Sequence, residues 1–142
     1  MTAAVDEFAE VLRDFAETLT AKYQSSFAGH PEDQLKGPLE TMLRRLGDLL
    51  GLSVVTKTES PVEDVGRPDI GVGVDGALTG HIELKAPGKK ALASRYKGQD
   101  RQQWQRFQAL MNLVYTDGSD FALYRSGELV DRVTLRGDVT SD

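Results

Sequence analysis

Apolar residues recur every three or four positions over the first part of the chain. Val5, Phe8, Leu12, Phe15, Leu19 and Tyr23 share one face of a helix from Thr2 to about Tyr23, whose other face is acidic through Asp6, Glu10, Asp14 and Glu17. Ser25 to His30 reads as a loop. A second helix opens at Pro31, with Glu32 and Asp33 at the positive end of its dipole. Leu35, Leu39, Met42, Leu43, Leu46, Leu49 and Leu50 line it, and Gly51 is a natural stop. Pro38 should kink this helix or mark its true start.

After Gly51 the period changes from helical to alternating. Leu52 to Thr58, rich in β-branched residues, predicts a strand, and Glu59 to Gly66 a loop. Arg67 to Val74 and Leu78 to Ala86 predict two strands joined by a turn containing Asp75-Gly76. Pro87-Gly88 ends the second of them. A helix follows from about Lys97 to Met111, then short strands at Leu113 to Thr116, Phe121 to Arg125 and Leu129 to Leu135, separated by Asp117-Gly118 and Ser126-Gly127. The order α-α-β-β-β-α-β with a closing meander predicts an α/β sandwich built on a mixed sheet. The expected layout is a single domain over residues 1–142, with helix and loop over 1–30, a core over 31–136 and a frayed polar tail over 137–142.

Composition adds constraints. The 142 residues are 39% hydrophobic and 27% charged, as in soluble globular chains, and cysteine is absent. Disulfides, Cys-ligated zinc and iron–sulfur clusters are thereby excluded. Without an apolar run of membrane-spanning length or a basic leader, the expected location is a prokaryotic cytoplasm, with no membrane partner. The net charge of −5 argues against a general nucleic-acid coat. Its distribution is uneven: Lys85 to Arg106 holds seven basic residues and the single acid Asp100, a net of +6 that leaves −11 for the rest.

That basic segment starts where the chemistry is densest. Side chains alternate along a strand, so Glu83 and Lys85 point the same way. Asp69 faces them only if the hairpin loop has an odd number of residues, such as Asp75-Gly76-Ala77; a two-residue loop would put Asp69 on the wrong face. Hard carboxylate oxygens from Asp69 and Glu83, with the carbonyl of Leu84, suit Mg²⁺, for which Mn²⁺ should substitute. Such an ion polarises a phosphodiester and acidifies a bound water. Lys85 would orient or deprotonate that water, or neutralise charge in the transition state; the sequence leaves these roles open.

Pro68-Asp69 … Glu83-Leu84-Lys85 resembles the PD-(D/E)XK motif, and the α-β-β-β-α-β order is similar to the restriction-endonuclease-like core of that nuclease superfamily. Gln103-Trp104-Gln105-Arg106-Phe107 resembles the QxxxY motif of its Mrr/RecB-like branch, with phenylalanine where tyrosine is usual. Glu32 to Val130 is similar to the N-terminal nuclease domain of single-chain restriction-modification enzymes. The resemblance implies a catalytic role for Gln103, a further metal-site glutamate at Glu32 (Glu40 being the fallback), and double-stranded DNA as substrate. It also implies helicase or methyltransferase modules in a larger restriction or phage-defence enzyme. Cutting both strands needs two active sites or two visits, which a transient dimer would supply.

Lys89, Lys90, Arg95, Lys97 and Arg101 are the candidate phosphate contacts. Trp104 reads as core, and His81 shares a face with Glu83 without an evident role. Gly71 to Gly76 matches GxGxxG formally, but it lies in a hairpin and does not open a helix, so it is not a dinucleotide site. Two other functions fit the same pattern: a catalytically silent DNA-binding or assembly module of the same fold, and a free-standing resolvase-like nuclease.

Overall fold

A computed structural model of the protein describes residues 2–25, 27 and 29–135; the tail expected to fray after Gly137 lies outside them. Helix α1 spans Thr2–Gln24 and α2 Pro31–Leu49, followed by strands β1 (Val54–Thr58), β2 (Ile70–Val74) and β3 (Ala77–Leu84). A short 3-10 turn at Ala93–Arg95 precedes α3 (Gly98–Phe107), and β4 (Asn112–Thr116), β5 (Asp120–Arg125) and β6 (Glu128–Thr134) complete the chain. The six strands lie side by side in chain order, antiparallel throughout except for the parallel β3–β4 pair. That parallel pair needs a crossover, which the segment containing α3 supplies.

The alternation along β3 divides the core. Ile82 and Leu84, with Ile70 of β2, pack under Val11, Phe15 and Leu19 of α1 and Leu35, Leu39 and Met42 of α2. On the other face Leu113 and Tyr115 of β4 and Ala122 and Tyr124 of β5 pack with Ala91, Ala93, Tyr96 and Phe107. Glu83, between Ile82 and Leu84, therefore points to the face that carries α3. Among the described residues no helix is long and apolar enough to cross a membrane.

Three local expectations need correction. Pro38 does not mark the true start of α2; it is buried within a helix that runs on from Pro31. Proline removes one ladder bond there, and the apolar packing of Leu35, Leu39 and Met42 around it outweighs that loss. Helix α3 stops at Phe107, short of Met111. Ala109 N–H and Leu110 N–H instead close tight turns on the carbonyls of Arg106 and Phe107, which swings the chain into β4.

The third correction concerns the β2–β3 hairpin. Its loop has two residues, because Val74 pairs with Ala77. Asp75 and Gly76 both take left-handed φ, 50° and 87°, as the tightest hairpin turns require. Unaided, this turn would send Asp69 to the wrong face. The register shifts further along, where Gly73 pairs with Leu78 but Val72 pairs with Gly80. Thr79 is thus an extra, bulged residue, and from Ile70↔Ile82 the next pair outward brings Asp69 opposite Glu83.

Candidate active site

The end of β3 and the segment leading into β2 bring Asp69, Glu83 and Lys85 together. Main chain and side chain cross-link the Asp69 and β3 segments: Asp69 N–H donates to Glu83 Oε1 at 3.1 Å, and Leu84 N–H donates to Asp69 Oδ2 at 2.8 Å. Pro68, buried just before Asp69, uses its carbonyl to accept the Ser60 N–H. Proline at this position fixes the entry of the chain without removing a ladder donor. Glu83 and Lys85 retain only 8% and 4% of their exposure. Burial, and then the neighbouring Asp69 carboxylate, push the Glu83 carboxyl up to about 8.

Gln103, on the inner side of α3, ties the site to that helix. Its Nε2 donates to Glu83 Oε2 at 2.7 Å, and its Oε1 accepts from Lys85 Nζ at 2.8 Å and from the Tyr115 hydroxyl at 3.2 Å. Asp100, one turn earlier, accepts a second Lys85 hydrogen bond at 2.9 Å. The Lys85 ammonium lies 5.2 Å from the Tyr96 ring centre and 5.3 Å from that of Tyr115. Two aromatic faces and a carboxylate make an environment for a cation.

Glu32, in the first turn of α2, comes within electrostatic range of the same place. Burial and then Asp69 push its carboxyl up, while His30 and Lys85 pull it down. Glu40 is turned elsewhere, accepting the Thr56 hydroxyl of β1. Among the described residues no three acidic or histidine side chains are grouped closely enough to hold one ion. The donor set is therefore two carboxylates, Asp69 and Glu83, with the Leu84 carbonyl as the candidate third oxygen. That set fits Mg²⁺ or Mn²⁺, which keep several waters. Burial comes first in raising the Glu83 carboxyl and Asp69 second, and a cation held between the two acids would relieve the second of these.

The basic residues divide. Lys89, Lys90, Arg95 and Lys97, with Tyr96 and Arg132, line one cavity of about 440 Å³. Arg101 is exposed on α3 outside it. The loop bearing Lys89 and Lys90 is pinned from below. Asp117 accepts the Lys90 N–H, Asp120 accepts the Ala91 N–H, and the Tyr124 hydroxyl accepts the Ala93 N–H while donating to the Ala91 carbonyl.

This is the fold of a chain in the DrdV–DNA complex. That chain, from a cryo-EM structure, superposes with a TM-score of 0.67 at 19% identity, over 93% of the present chain and 90% of its own. No family model matches the sequence, and no curated protein does. The α/β architecture with its mixed sheet is as the order of periodic segments predicts, and the sheet with its flanking helices is restriction-endonuclease-like, as the resemblance implies.

Sequence reasoning missed several residues that shape the site. Asp100 entered only as the one acid of a basic segment, and that isolation was itself the available signal. Tyr115 and Tyr96 were overlooked, although Tyr115 supplies a hydroxyl to Gln103. Phe107, at the motif position where tyrosine is usual, is instead buried with its ring against Gly66. Trp104 packs against Tyr124 with ring centres 4.8 Å apart, as a core residue should. His81 is buried with no hydrogen-bond partner for Nε2 among the described residues, and burial pushes its imidazole below the usual range.

Proposed function

We propose that the chain is a metal-dependent nuclease domain of the PD-(D/E)XK type that hydrolyses phosphodiester bonds in double-stranded DNA. The observation that carries this reading is the convergence of Asp69, Glu83 and Lys85 at one end of the β2–β3 hairpin, with Glu83 and Asp69 crowding one another. The chain whose fold it shares comes from a complex with DNA, and a basic cavity lies on the loop and turn that follow Lys85.

Asp69 and Glu83, with the Leu84 carbonyl, would hold Mg²⁺ or Mn²⁺. The ion's chemistry is to polarise the scissile phosphate and make a bound water acidic. Gln103 keeps the Glu83 carboxylate turned towards Asp69 through its Nε2. Lys85, hydrogen-bonded to Asp100 and Gln103, would stabilise transition-state charge and orient the attacking water. Lys89, Lys90, Arg95 and Lys97 would grip phosphates beside the cut. Such a module belongs in a larger restriction or phage-defence enzyme, where other parts choose the sequence and a second copy serves the second strand.

Supercoiled plasmid incubated with Mg²⁺ or Mn²⁺ tests this directly. Wild type should nick it, EDTA should stop the nicking, and Lys85→Ala should lower the rate by about 10²-fold or more. Cutting that survives in Lys85→Ala would place the chemistry elsewhere. Duplex binding without metal-dependent cutting would favour a catalytically silent DNA-binding module, a reading to which the full engagement of both Glu83 oxygens lends some weight.

A further inference from the structure

Lys85 is the central cation of the site, yet neither metal-site carboxylate holds it. Its side chain is 5% exposed, and a charge buried that deeply requires a paired anion. Gln103 stands between Lys85 and Glu83, accepting from the one and donating to the other. The carboxylate that touches Nζ is Asp100, at 2.9 Å through Oδ1. The other oxygen of Asp100, Oδ2, is 2.7 Å from the half-exposed ammonium of Lys89. With each oxygen held by a different lysine, the carboxylate cannot turn away from Lys85. Hydrogen bonds from both lysines keep it ionised: burial pushes the Asp100 carboxyl up, but these contacts outweigh burial and hold it below the usual range.

Local backbone puts Asp100 where this is possible. Gly98 enters α3 with a left-handed φ of 59°, which places Asp100 in the first turn, one turn ahead of Gln103 on the same face. Tyr96 and Tyr115 close the remaining sides of the ammonium with their rings. Among the described residues Lys85 Nζ thus has one charged and one amide hydrogen-bond partner, both from α3.

We propose that Asp100 is a positioning residue: it aims the Lys85 ammonium at the site and, through Lys89, ties that aim to the basic cavity. This inference rests on the nuclease reading above for its consequence, but the contact itself can be measured without any cutting. A buried, hydrogen-bonded ammonium exchanges slowly with water and gives its own ¹H–¹⁵N signal. In the full chain, a signal assigned to Lys85 by its loss in Lys85→Met should disappear or broaden in Asp100→Asn.

Single-turnover cleavage of a labelled duplex supplies the second readout. Asp100→Asn should lower the rate at saturating enzyme by about tenfold to a hundredfold, as loss of aim does. The half-saturating concentration should stay level or fall, because an acid has left a basic surface. A merely structural role would move both quantities together and lower the melting temperature. Should the asparagine variant not fold, Asp100→Ser removes the same charge. A Lys85 signal unchanged in the folded variant, or a saturated rate equal to wild type, would overturn the proposal. If wild type fails to cut while its Lys85 signal depends on Asp100, the nuclease reading falls and the contact stands.

Discussion

Glu83 carries a conflict between burial and charge. Its carboxyl rises to about 8 through burial and the nearby Asp69, against the pull of the Asp69 N–H, Gln103 and Lys85. Unfolded, the same group titrates near 4.3 or so. A raised folded value means that its stabilising contribution is complete below the unfolded value and is lost as pH rises towards about 8. Glu83→Gln should therefore melt above wild type at pH 8 by roughly 4–8 °C, corresponding to about 2 kcal/mol, and the gap should close towards pH 5. Mg²⁺ should raise the melting temperature of wild type and leave the variant unmoved. Calorimetry at the two pH values decides it: equal melting of the two proteins at pH 8, with or without metal, would refute the shared-cation account.

At the scale of elements, the loop after β3 shows how a surface feature is anchored from the core. Asp120, almost fully buried at the start of β5, accepts the Ala91 N–H, two Arg132 donors and the Thr134 hydroxyl. Burial pushes its carboxyl up, but these bonds outweigh burial and hold it below the usual range. Stability from such a group is present above the unfolded value and is lost as pH falls through the folded one. Asp120→Asn should cost about 2–4 kcal/mol at neutral pH, flatten the acid limb of the stability curve and weaken duplex binding as the loop loosens. Urea titrations at pH 7 and pH 3.5 measure this, and a variant as stable as wild type at pH 7 would rule it out. None of this was legible in the sequence, where Asp117-Gly118 announces a turn but not the loop 27 residues upstream that Asp117 holds. Periodicity gave the helices, the strands and their order, because period is local. The parity of the hairpin was also within reach, yet its cause was not: a two-residue turn and a bulge at Thr79 are indistinguishable in sequence from a three-residue loop. Asp100 and Tyr115 escaped notice because their partners lie 15 and 12 residues away and meet only through the parallel crossover.

Across the whole molecule, the question is how a chain of net charge −5 could hold a polyanion. Its acidic residues are spread over α1 and elsewhere, while Lys89, Lys90, Arg95 and Lys97 gather around one cavity on the α3 side of the sheet. Exposed charges further away than a Debye length of about 8 Å are screened at physiological salt, so the local cluster governs contact and the net charge governs little. If four phosphates are neutralised there, the logarithm of duplex affinity should fall with the logarithm of salt concentration at a slope of about −3 to −4. Lys97→Ala should reduce that slope by about one and weaken all sequences alike, since phosphate contacts carry no base information. Arg44, exposed on α2 over the opposite face, provides the contrast: Arg44→Ala should leave the slope where it was. Fluorescence anisotropy of a labelled duplex across a salt series, with EDTA present, separates the possibilities. Equal loss of slope in both variants would mean that DNA meets the surface diffusely, and a slope near zero would remove DNA from the reading. A slope carried by the cavity alone would mean that this domain grips the DNA backbone at one place and reads no sequence there.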